Sequence, residues 1–227
     1  SCGTLTSVIC VNNFAGGSGH RIIDGLTAGN SYFVRFWSAS TINDATFNFC
    51  IQQVPAPPAN DECVNAIAIT TQPFGTTCAS SIAANTTGAT QSAFNPSCAG
   101  LDNNDDIWYS FTANSSSIIL RFNNGVETID GSIGSLGYAL YNTSCPSAAS
   151  TFSCNTNIGF GSGLKIIDGL TIGNTYYLRL FSQSFNNYLS FNFCVQDVPA
   201  PPVNDECVNA IPITTQPFGT TCAVSIA

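Results

Sequence analysis

The stretch DIWYSFTANSSSIILRF, residues 106–122, carries the clearest fold signal in this chain. Two runs rich in β-branched and aromatic residues, 106–112 and 117–122, flank a short polar connection, and such runs are typical of β-strands. Because side chains alternate along a strand, Trp108 and Tyr109 should face opposite sides of a sheet. Runs of the same kind recur at residues 138–141, 175–181 and 189–195.

Turn signals separate these runs. Residues that accept a positive φ lie between them, at Asn123-Asn124-Gly125, Asp130-Gly131, Asp168-Gly169 and Gly173-Asn174. No stretch keeps a helical period for three turns. At most, Asp61 to Ala66 forms one helical turn, with Asn60 or Asp61 as its cap. About eight to ten short strands predict an all-β fold, a disulfide-stapled β-sandwich of the jelly-roll type.

Almost the same sequence occurs twice along the chain. PAPPANDECVNAIAITTQPFGTTCASSIA, residues 55–83, returns at residues 199–227 with three substitutions, Ala59 to Val203, Ala68 to Pro212 and Ser80 to Val224. The same offset of 144 residues places IIDGLT at 22–27 on IIDGLT at 166–171, and FNFC at 47–50 on FNFC at 191–194. The chain is therefore built from a repeating unit of about one domain's size.

The repeat predicts the division of the chain into domains. Residues 59–198 form a complete β-sandwich unit, residues 1–54 the C-terminal part of another unit, and residues 203–227 the N-terminal part of a further one. Proline-rich linkers, residues 55–58 and 199–202, separate them. Prolines favour an extended, stiff conformation, so neighbouring units should meet in the same way and build a regular rod or helix. The chain contains no Met, which indicates a processed product or a window on something longer. Since residues 203–227 and 1–54 together would lack the equivalents of residues 84–143, we expect a window on a longer array.

The composition excludes several classes of function. Charged residues make up 8% of the chain and the net charge is −8, which leaves no basic surface for nucleic acid. No apolar run approaches the ~18–20 residues of a membrane-spanning helix, so we expect no membrane insertion. Eleven cysteines with one histidine and no C-x-x-C pair do not fit a zinc framework. They indicate disulfides, and disulfides predict an extracellular or cell-surface location.

The spacing of the cysteines gives a first hypothesis for their pairing. The complete unit holds six cysteines, for which fifteen connectivities are open. We predict four bonds, the first stapling the ends of the unit and the last two closing local loops: Cys63–Cys194, Cys78–Cys98, Cys145–Cys154 and, in the first partial unit, Cys2–Cys10. Under this scheme three cysteines await partners beyond the sequence: Cys50, Cys207 and Cys222.

Three motifs in a fixed order resemble a known family. They are Asn60-Asp61-Glu62-Cys63-x-x-Ala66, then Asp105-Asp106-Ile107-Trp108-Tyr109-Ser110-Phe111, then Gly169-Leu170-x-x-Gly173-x-x-Tyr176-Tyr177-x-Arg179. This order resembles the NDEC repeats of large secreted surface proteins of Bacteroidota-type bacteria, and the sandwich is distantly similar to bacterial pre-peptidase C-terminal domains. The resemblance implies export by type IX secretion and a role as stalk, adhesive or accessory module. It also implies that calcium or carbohydrate binding occurs in a few relatives.

Catalysis has little support in the sequence. His20 is the single histidine, and the equivalent position in the second copy is Leu164, so a reaction shared by the units cannot depend on it. No G-x-S-x-G sequence, histidine metal pair or P-loop occurs. An enzyme would have to rely on carboxylates alone, as glycosidases do. We therefore predict that the chain is not an enzyme and requires no cofactor.

The acidic stretch LDNNDD, residues 101–106, is the best candidate for a metal site. Carboxylates and amides crowded in a loop are the oxygen ligands that Ca²⁺ collects. We predict a calcium site formed by Asp102, Asp105 and Asp106, with Asp130 as a further ligand. The alternative is a solvated turn that leads into the strand at residue 106.

Aromatic residues and sequons raise the question of carbohydrate. Trp37 aligns with Phe181 in the repeat, which favours core packing over sugar stacking. For Trp108, Tyr109 and Phe111, core packing is again the favoured interpretation. Three sequons begin at Asn85, Asn114 and Asn142 and predict glycan sites, although such triplets arise often by chance in an Asn-rich chain.

Together these observations predict a structural repeat protein that forms an extracellular filament or adhesin stalk on a bacterial surface. Its partners would be neighbouring copies of the same repeat. The first alternative is a carbohydrate-binding module that recognises surface glycans, with or without calcium. An accessory region of a secreted hydrolase is the second.

Overall fold

The structure, a computed structural model, describes residues 6–11, 19–23, 25–38, 42, 44–98, 105–129, 131, 133–145, 151–159, 163–183, 188–213 and 215. Within them it forms nine strands: β1 (Ile67–Ala68), β2 (Ile82–Asn85), β3 (Asp106–Thr112), β4 (Ser117–Glu127), β5 (Leu136–Tyr141), β6 (Ser153–Ile158), β7 (Gly163–Asp168), β8 (Thr175–Ser182) and β9 (Leu189–Asp197). Two short 3₁₀ turns, Cys63–Asn65 and Cys207–Asn209, complete the regular structure.

The strands form two sheets packed face to face. One sheet has five strands in the order β1-β3-β8-β5-β6, and the other has four in the order β2-β9-β4-β7. All neighbours are antiparallel except β1, which runs parallel to β3. Without β1, the two orders are those of an eight-stranded jelly roll. The predicted all-β sandwich of jelly-roll type is confirmed.

The core lies between the sheets and follows the alternation of the strands. Every second residue of β4 and β9 points inward, and these residues are buried: Ile118, Leu120, Phe122, Leu189, Phe191, Phe193 and Val195. Burial of one such side chain stabilises the fold by roughly 1.5–3 kcal/mol. Tyr109 points inward against Phe193, with ring centroids 4.8 Å apart, whereas Trp108 lies on the outer face. The predicted opposite orientation of Trp108 and Tyr109 is confirmed.

One predicted turn is a strand irregularity instead. Residues 123–125 belong to β4, whose register with β9 shifts between Asn123 and Val126. Asn124 has a φ of 53° there. The Asn-Asn-Gly sequence therefore marks a β-bulge, in which an extra residue is accommodated without ending the strand. Positive φ is found at three of the other predicted turns, at Gly131, Gly169 and Gly173.

The disulfides correct the predicted pairing. The structure forms three bonds in the complete unit, Cys63–Cys145, Cys78–Cys194 and Cys98–Cys154. The predicted bonds were wrong in all three cases: Cys63–Cys194, Cys78–Cys98 and Cys145–Cys154. For the predicted Cys2–Cys10 bond, Cys2 lies outside the described residues, and Cys10 is an exposed, free thiol.

The two faces of the sandwich explain this correction. Cys63 packs beside Trp108 on the outer face of the five-stranded sheet. Cys194 lies between inward-pointing Phe193 and Val195, so its side chain points to the outer face of the four-stranded sheet. Two packed sheets, with a spacing of ~10 Å, separate the two cysteines. All three observed bonds instead fasten residues 63–98 to later parts of the unit, namely β6, β9 and the segment after β5.

The described residues of the two partial units look different from the complete one. None of them lies in a strand, and both Cys50 and Cys207 are exposed and free. Cys222 lies outside the described residues. The predicted division of the chain at residues 54–59 and 198–203 stays a prediction. Among the described residues, no helix is long and apolar enough to cross a membrane.

Candidate functional site

The NDEC sequence attaches the start of the complete unit to the five-stranded sheet. Asn60 is buried, and its side-chain amide donates to the Trp108 carbonyl (3.0 Å) while its own carbonyl accepts from the Trp108 amide (2.8 Å). The Asp61 carboxylate accepts from the amide (2.6 Å) and the hydroxyl (2.8 Å) of Thr90. The predicted capping role of Asn60 or Asp61 is wrong, because Glu62 occupies the cap position and makes no side-chain bond there.

The linker before the unit runs past a glycine turn. Gly88 is buried with a φ of +82°, and a Cβ atom at this position would lie 2.6 Å from the Pro55 carbonyl oxygen and 2.9 Å from that of Ala56. The turn itself is tied to the start of β9. The Thr86 amide donates to the Leu189 carbonyl (2.8 Å), and the Leu189 amide donates to the Thr86 hydroxyl (2.9 Å). The linker therefore approaches the unit at the end where β9 begins.

The chain leaves the unit at the other end. After the last residue of β9, the Val198 amide donates to the Ser117 carbonyl (2.9 Å) at the start of β4. The Thr71 hydroxyl donates to the Asp197 carboxylate (2.8 Å) beside it. The nine residues of β9 lie between the two ends. At ~3.3 Å per residue, the linker contact and the exit are about 25–30 Å apart.

A buried ion pair lies on the outer face of the five-stranded sheet. The guanidinium of Arg179 contacts the Asp106 carboxylate at 2.6 Å, and both side chains are fully buried. The same carboxylate accepts from the Ser92 amide (2.9 Å), the Ser92 hydroxyl (2.6 Å) and the Trp108 indole N–H (2.9 Å). Burial raises the pKa of the Asp106 carboxyl, while Arg179 and Ser92 act in the opposite direction.

Aromatic rings and a loop enclose this ion pair. The Arg179 guanidinium lies 5.6–5.8 Å from the ring centroids of Phe94, Trp108 and Phe181, within the range of cation–π attraction. Arg179 also donates to the Phe94 carbonyl (2.6 Å). Residues 89–98, which we name the covering segment, are thus held on the sheet by Ser92, by Phe94 and by the Cys98–Cys154 bond. The arrangement holds a loop in place and has no solvent-exposed reacting group.

Only two of the four predicted calcium ligands, Asp105 and Asp106, lie in the described residues. Asp106 has both carboxylate oxygens engaged by protein donors, so its predicted role as a ligand is wrong. Asp105 is buried next to it. Asp102 and Asp130 lie outside the described residues. Within the described part of the chain, no group of three His, Cys, Asp or Glu side chains could hold a metal.

The other predicted positions are distributed over the surface and the core. Asn85, Asn114 and Asn142 are exposed, and their glycosylation stays a prediction. His20 is half-buried, away from any described cluster of acid, base or metal-ligating groups. Trp37 is 51% exposed although its equivalent, Phe181, is fully buried.

A shallow cleft opens on the outer face of the four-stranded sheet. The Arg121 side chain is fixed there by bonds to the Gln196 side-chain oxygen (2.5 Å) and the Gly75 carbonyl (2.9 Å). The cleft has a volume of about 230 Å³. Its lining combines hydroxyl, amide and guanidinium groups with apolar ones: Thr76, Thr77, Cys78, Arg121, Phe122, Asn123, Gly163 and Leu164.

Sequence reasoning missed Gly88 and the partner of Arg179. Arg179 was visible as a cation within an apolar strand, and its equivalent in the other copy is again an arginine, Arg35. An unaccompanied charge in a buried strand pattern calls for a buried counter-charge. Gly88 follows two threonines and shows only a turn signal, because the contact that requires a glycine comes from Pro55 and Ala56, which lie more than 30 positions earlier in the chain.

The complete unit is similar to known domains. A family model described as galactose binding domain-like, for domains associated with type IX secretion, matches residues 59–195. The 1.0 Å crystal structure of the pre-peptidase C-terminal domain of collagenase from Bacillus anthracis aligns with a TM-score of 0.35 and 14% identity, over 58% of this chain and 94% of that one. A comparison with curated proteins found no match.

Proposed function

The chain belongs to the galactose-binding-domain-like family associated with type IX secretion, and we propose that its complete unit is a structural module of an extracellular filament or adhesin stalk. The family and the disulfides identify a secreted, cell-surface domain of the Bacteroidota type. The matched family is one of non-catalytic accessory domains, which is consistent with a protein that is not an enzyme. The narrower assignment to NDEC repeats stays a prediction.

The position of the linkers is the observation that supports the stalk. The linker before the unit lies against Gly88 beside the start of β9, and the chain leaves at Val198 after the end of β9. Units whose two connections lie at opposite ends can be joined end to end through a four-residue linker. The prolines of the linker favour an extended conformation, and thus the end-to-end arrangement over one in which neighbouring units fold back side by side.

Electron microscopy of the purified material in negative stain tests this proposal. The linker contact and the exit are about 25–30 Å apart, and Pro199, the equivalent of Pro55, directly follows the exit, so the expected axial repeat is about 30 Å. Strings of beads with this repeat would support the stalk, and isolated compact particles would overturn it. The mass of the reduced material then separates a covalent array from an assembly of 23.8 kDa chains.

Carbohydrate binding is the second candidate, and the hydrogen-bonding groups in the cleft at Arg121 favour it. Hydroxyls, an amide and a fixed guanidinium can donate to and accept from sugar hydroxyls. Against it, Trp108 is fully buried and cannot stack on a sugar ring. A glycan array probed with the wild type and with Arg121→Ala, each with and without chelator, decides the question. Binding that is lost in Arg121→Ala would support the cleft. Loss on adding chelator would support the predicted calcium, and no binding in any arm would reject this candidate.

A further inference from the structure

The contact between Gly88 and the linker is closer than any side chain allows. The two carbonyl oxygens of Pro55 and Ala56 occupy the space in which a Cβ atom of residue 88 would stand, at 2.6 and 2.9 Å. Real Cβ atoms do not approach backbone oxygens so closely, and backbone cannot swing aside as a long side chain can. Residue 88 is therefore a glycine for two reasons, its φ of +82° and the presence of the linker.

We propose that the Gly88 turn is a docking seat for the backbone of the linker that precedes the unit, and that this seat fixes the direction in which the unit joins its predecessor. The occupant is a segment of this chain, Pro55–Ala56. Asn60, whose backbone and amide are both bonded to Trp108, anchors the same segment from its other side. Pro57, which lies between the two contacts, restricts the backbone of the segment there.

The second linker provides the comparison. Both linkers end in the same local turn, with Asp61 N to Pro58 O at 3.0 Å and Asp205 N to Pro202 O at 3.0 Å. Within residues 1–227, only the first linker is followed by a unit that contains the Gly88 turn. Asn60 is 5% exposed, whereas the equivalent Asn204 is exposed. The turn at the end of each linker therefore forms from local sequence alone. Docking of the first linker requires, in addition, the Gly88 turn and the Trp108 strand of the complete unit.

The seat leaves no free residue between two units. Val198 is bonded to the unit that it leaves, through Ser117. The next residue, Pro199, is the equivalent of Pro55, which is seated on the unit that follows it. Where one such unit follows another, the last anchored residue and the first seated residue are consecutive. This consequence for an array rests on the proposed end-to-end stalk, whereas the seat itself does not.

Backbone relaxation of a ¹⁵N-labelled chain of residues 1–227, in which no second Gly88 turn follows Ala200, tests the seat. Ala56 and Ala200 occupy equivalent positions in the two linkers and both carry an amide proton. A seated Ala56 should have an order parameter near ~0.85, like the strands, and Ala200 should fall toward ~0.6 or below. Equal values for the two alanines would overturn the proposal, without any substitution that could unfold the protein.

Gly88→Ala with a matched control provides the second measurement. Gly131 has a φ of +75° and no atom within 4 Å of an added Cβ, so Gly131→Ala introduces the same kind of backbone strain without touching the linker. We expect Gly88→Ala to lower the order parameter of Ala56 to about that of Ala200, and Gly131→Ala to leave it unchanged. A folded Gly88→Ala variant with a rigid Ala56 would overturn the seat. If this variant does not fold, the comparison of Ala56 with Ala200 in the wild type decides.

The relaxation experiment on the seat and the microscopy experiment on the stalk can fail independently of each other. Beaded strings together with a mobile Ala56 would retain the stalk and reject the seat. Compact particles together with a rigid Ala56 would reject the stalk and retain the seat.

Discussion

Residues 166–198 and residues 22–54 have closely similar sequences and very different surroundings. The first region contributes to β7, β8 and β9, and the described residues of the second contain no strand. Phe191 and Phe193 are 2% and 0% exposed, whereas the equivalent Phe47 and Phe49 are 56% and 61% exposed. The aromatic residues of the second region contact one another instead, for example Phe36 and Phe49 at 4.8 Å.

The difference lies in the strands available for pairing. In the complete unit, β8 lies between β3 and β5, and β9 lies between β2 and β4. Within residues 1–227, the segment 84–143, which includes β3, β4 and β5, occurs once. A strand satisfies its backbone hydrogen bonds only with a neighbour, so the same residues without that neighbour have no sheet to join.

Features with local hydrogen bonds appear in both copies. The turn that joins Asn174 N to Thr171 O (3.1 Å) is matched by Asn30 N to Thr27 O (3.2 Å). The 3₁₀ turn at Cys63–Asn65 is matched at Cys207–Asn209. These bonds close within four residues and need no distant partner. The comparison therefore separates the turns, which a segment forms by itself, from the strands, which form only within the complete sandwich.

The two equivalent arginines should show the largest difference. Arg179→Met leaves the Asp106 carboxylate buried without its cation, and breaking a buried pair in this way costs about 3–5 kcal/mol. Arg35→Met, at the exposed equivalent position, should change the free energy of unfolding by less than about 0.5 kcal/mol. Urea unfolding followed by tryptophan fluorescence measures both. Equal losses in the two variants would contradict the contrast between the copies.

The disulfide on the four-stranded sheet comes next. The double variant Cys78→Ala/Cys194→Ala removes a bond that spans 116 residues, and we expect a loss of about 2–4 kcal/mol. Cys50, the equivalent of Cys194, is exposed and free, so Cys50→Ala should leave the melting temperature unchanged. As a control, reductant should destabilise the wild type at least as much as the double substitution does, because it breaks all three bonds. A wild type insensitive to reductant would argue against the bond.

A smaller effect is expected at the two NDEC sequences. Asn60→Ala removes the bond to the Trp108 carbonyl in a buried setting, and we expect a loss of about 1–3 kcal/mol. Asn204→Ala changes an exposed residue and should have almost no effect. Chemical unfolding of the two variants under the same conditions gives the difference. An Asn204 variant as unstable as the Asn60 variant would show that the second NDEC sequence is docked as well.

The smallest effect concerns stability at alkaline pH. Burial raises the pKa of the Tyr138 phenol, whereas a backbone hydrogen bond with Thr27 lowers the pKa of Tyr32. A folded pKa above the unfolded value of ~10 means that the contribution of Tyr138 is complete below that pH and is lost as the pH rises through the folded pKa. The melting temperature should therefore fall above pH ~10.

Two tyrosine-to-phenylalanine variants test whether Tyr138 causes this fall in melting temperature. Tyr138→Phe should make it shallower, because the buried phenol no longer ionises on unfolding. Tyr32→Phe should not, because its folded pKa is shifted in the other direction. The same slope in Tyr138→Phe and wild type would contradict the assignment.

The strands that the sequence predicted are those in the interior of the sheets. The runs at 106–112, 117–122, 138–141, 175–181 and 189–195 correspond to β3, β4, β5, β8 and β9, each of which has a neighbour on both sides. The four strands that were not predicted, β1, β2, β6 and β7, are all edge strands. An edge strand such as SCNTNI is only partly buried, so it needs no regular apolar pattern.

The cysteines and the acidic stretch show where sequence reasoning stopped. Short spacing favoured local pairs such as Cys145–Cys154, but the observed bonds span 56 to 116 residues. Asp106 looked like part of a calcium loop because its partner, Arg179, lies 73 residues away. The spacing of the cysteines and aspartates along the sequence does not indicate which outer face of the sandwich a segment crosses.

The sequence by itself determined the repeating unit, the interior strands, and the turns at Gly131, Gly169 and Gly173. These depend on alternation, on identity between copies, or on residues a few positions apart. Only the tertiary structure decided whether a patterned run such as residues 47–51 or 191–195 becomes a strand, which cysteines meet, and why residue 88 is a glycine. Each of these depends on a contact between distant segments, and such a contact exists only once the two sheets have formed around a common core.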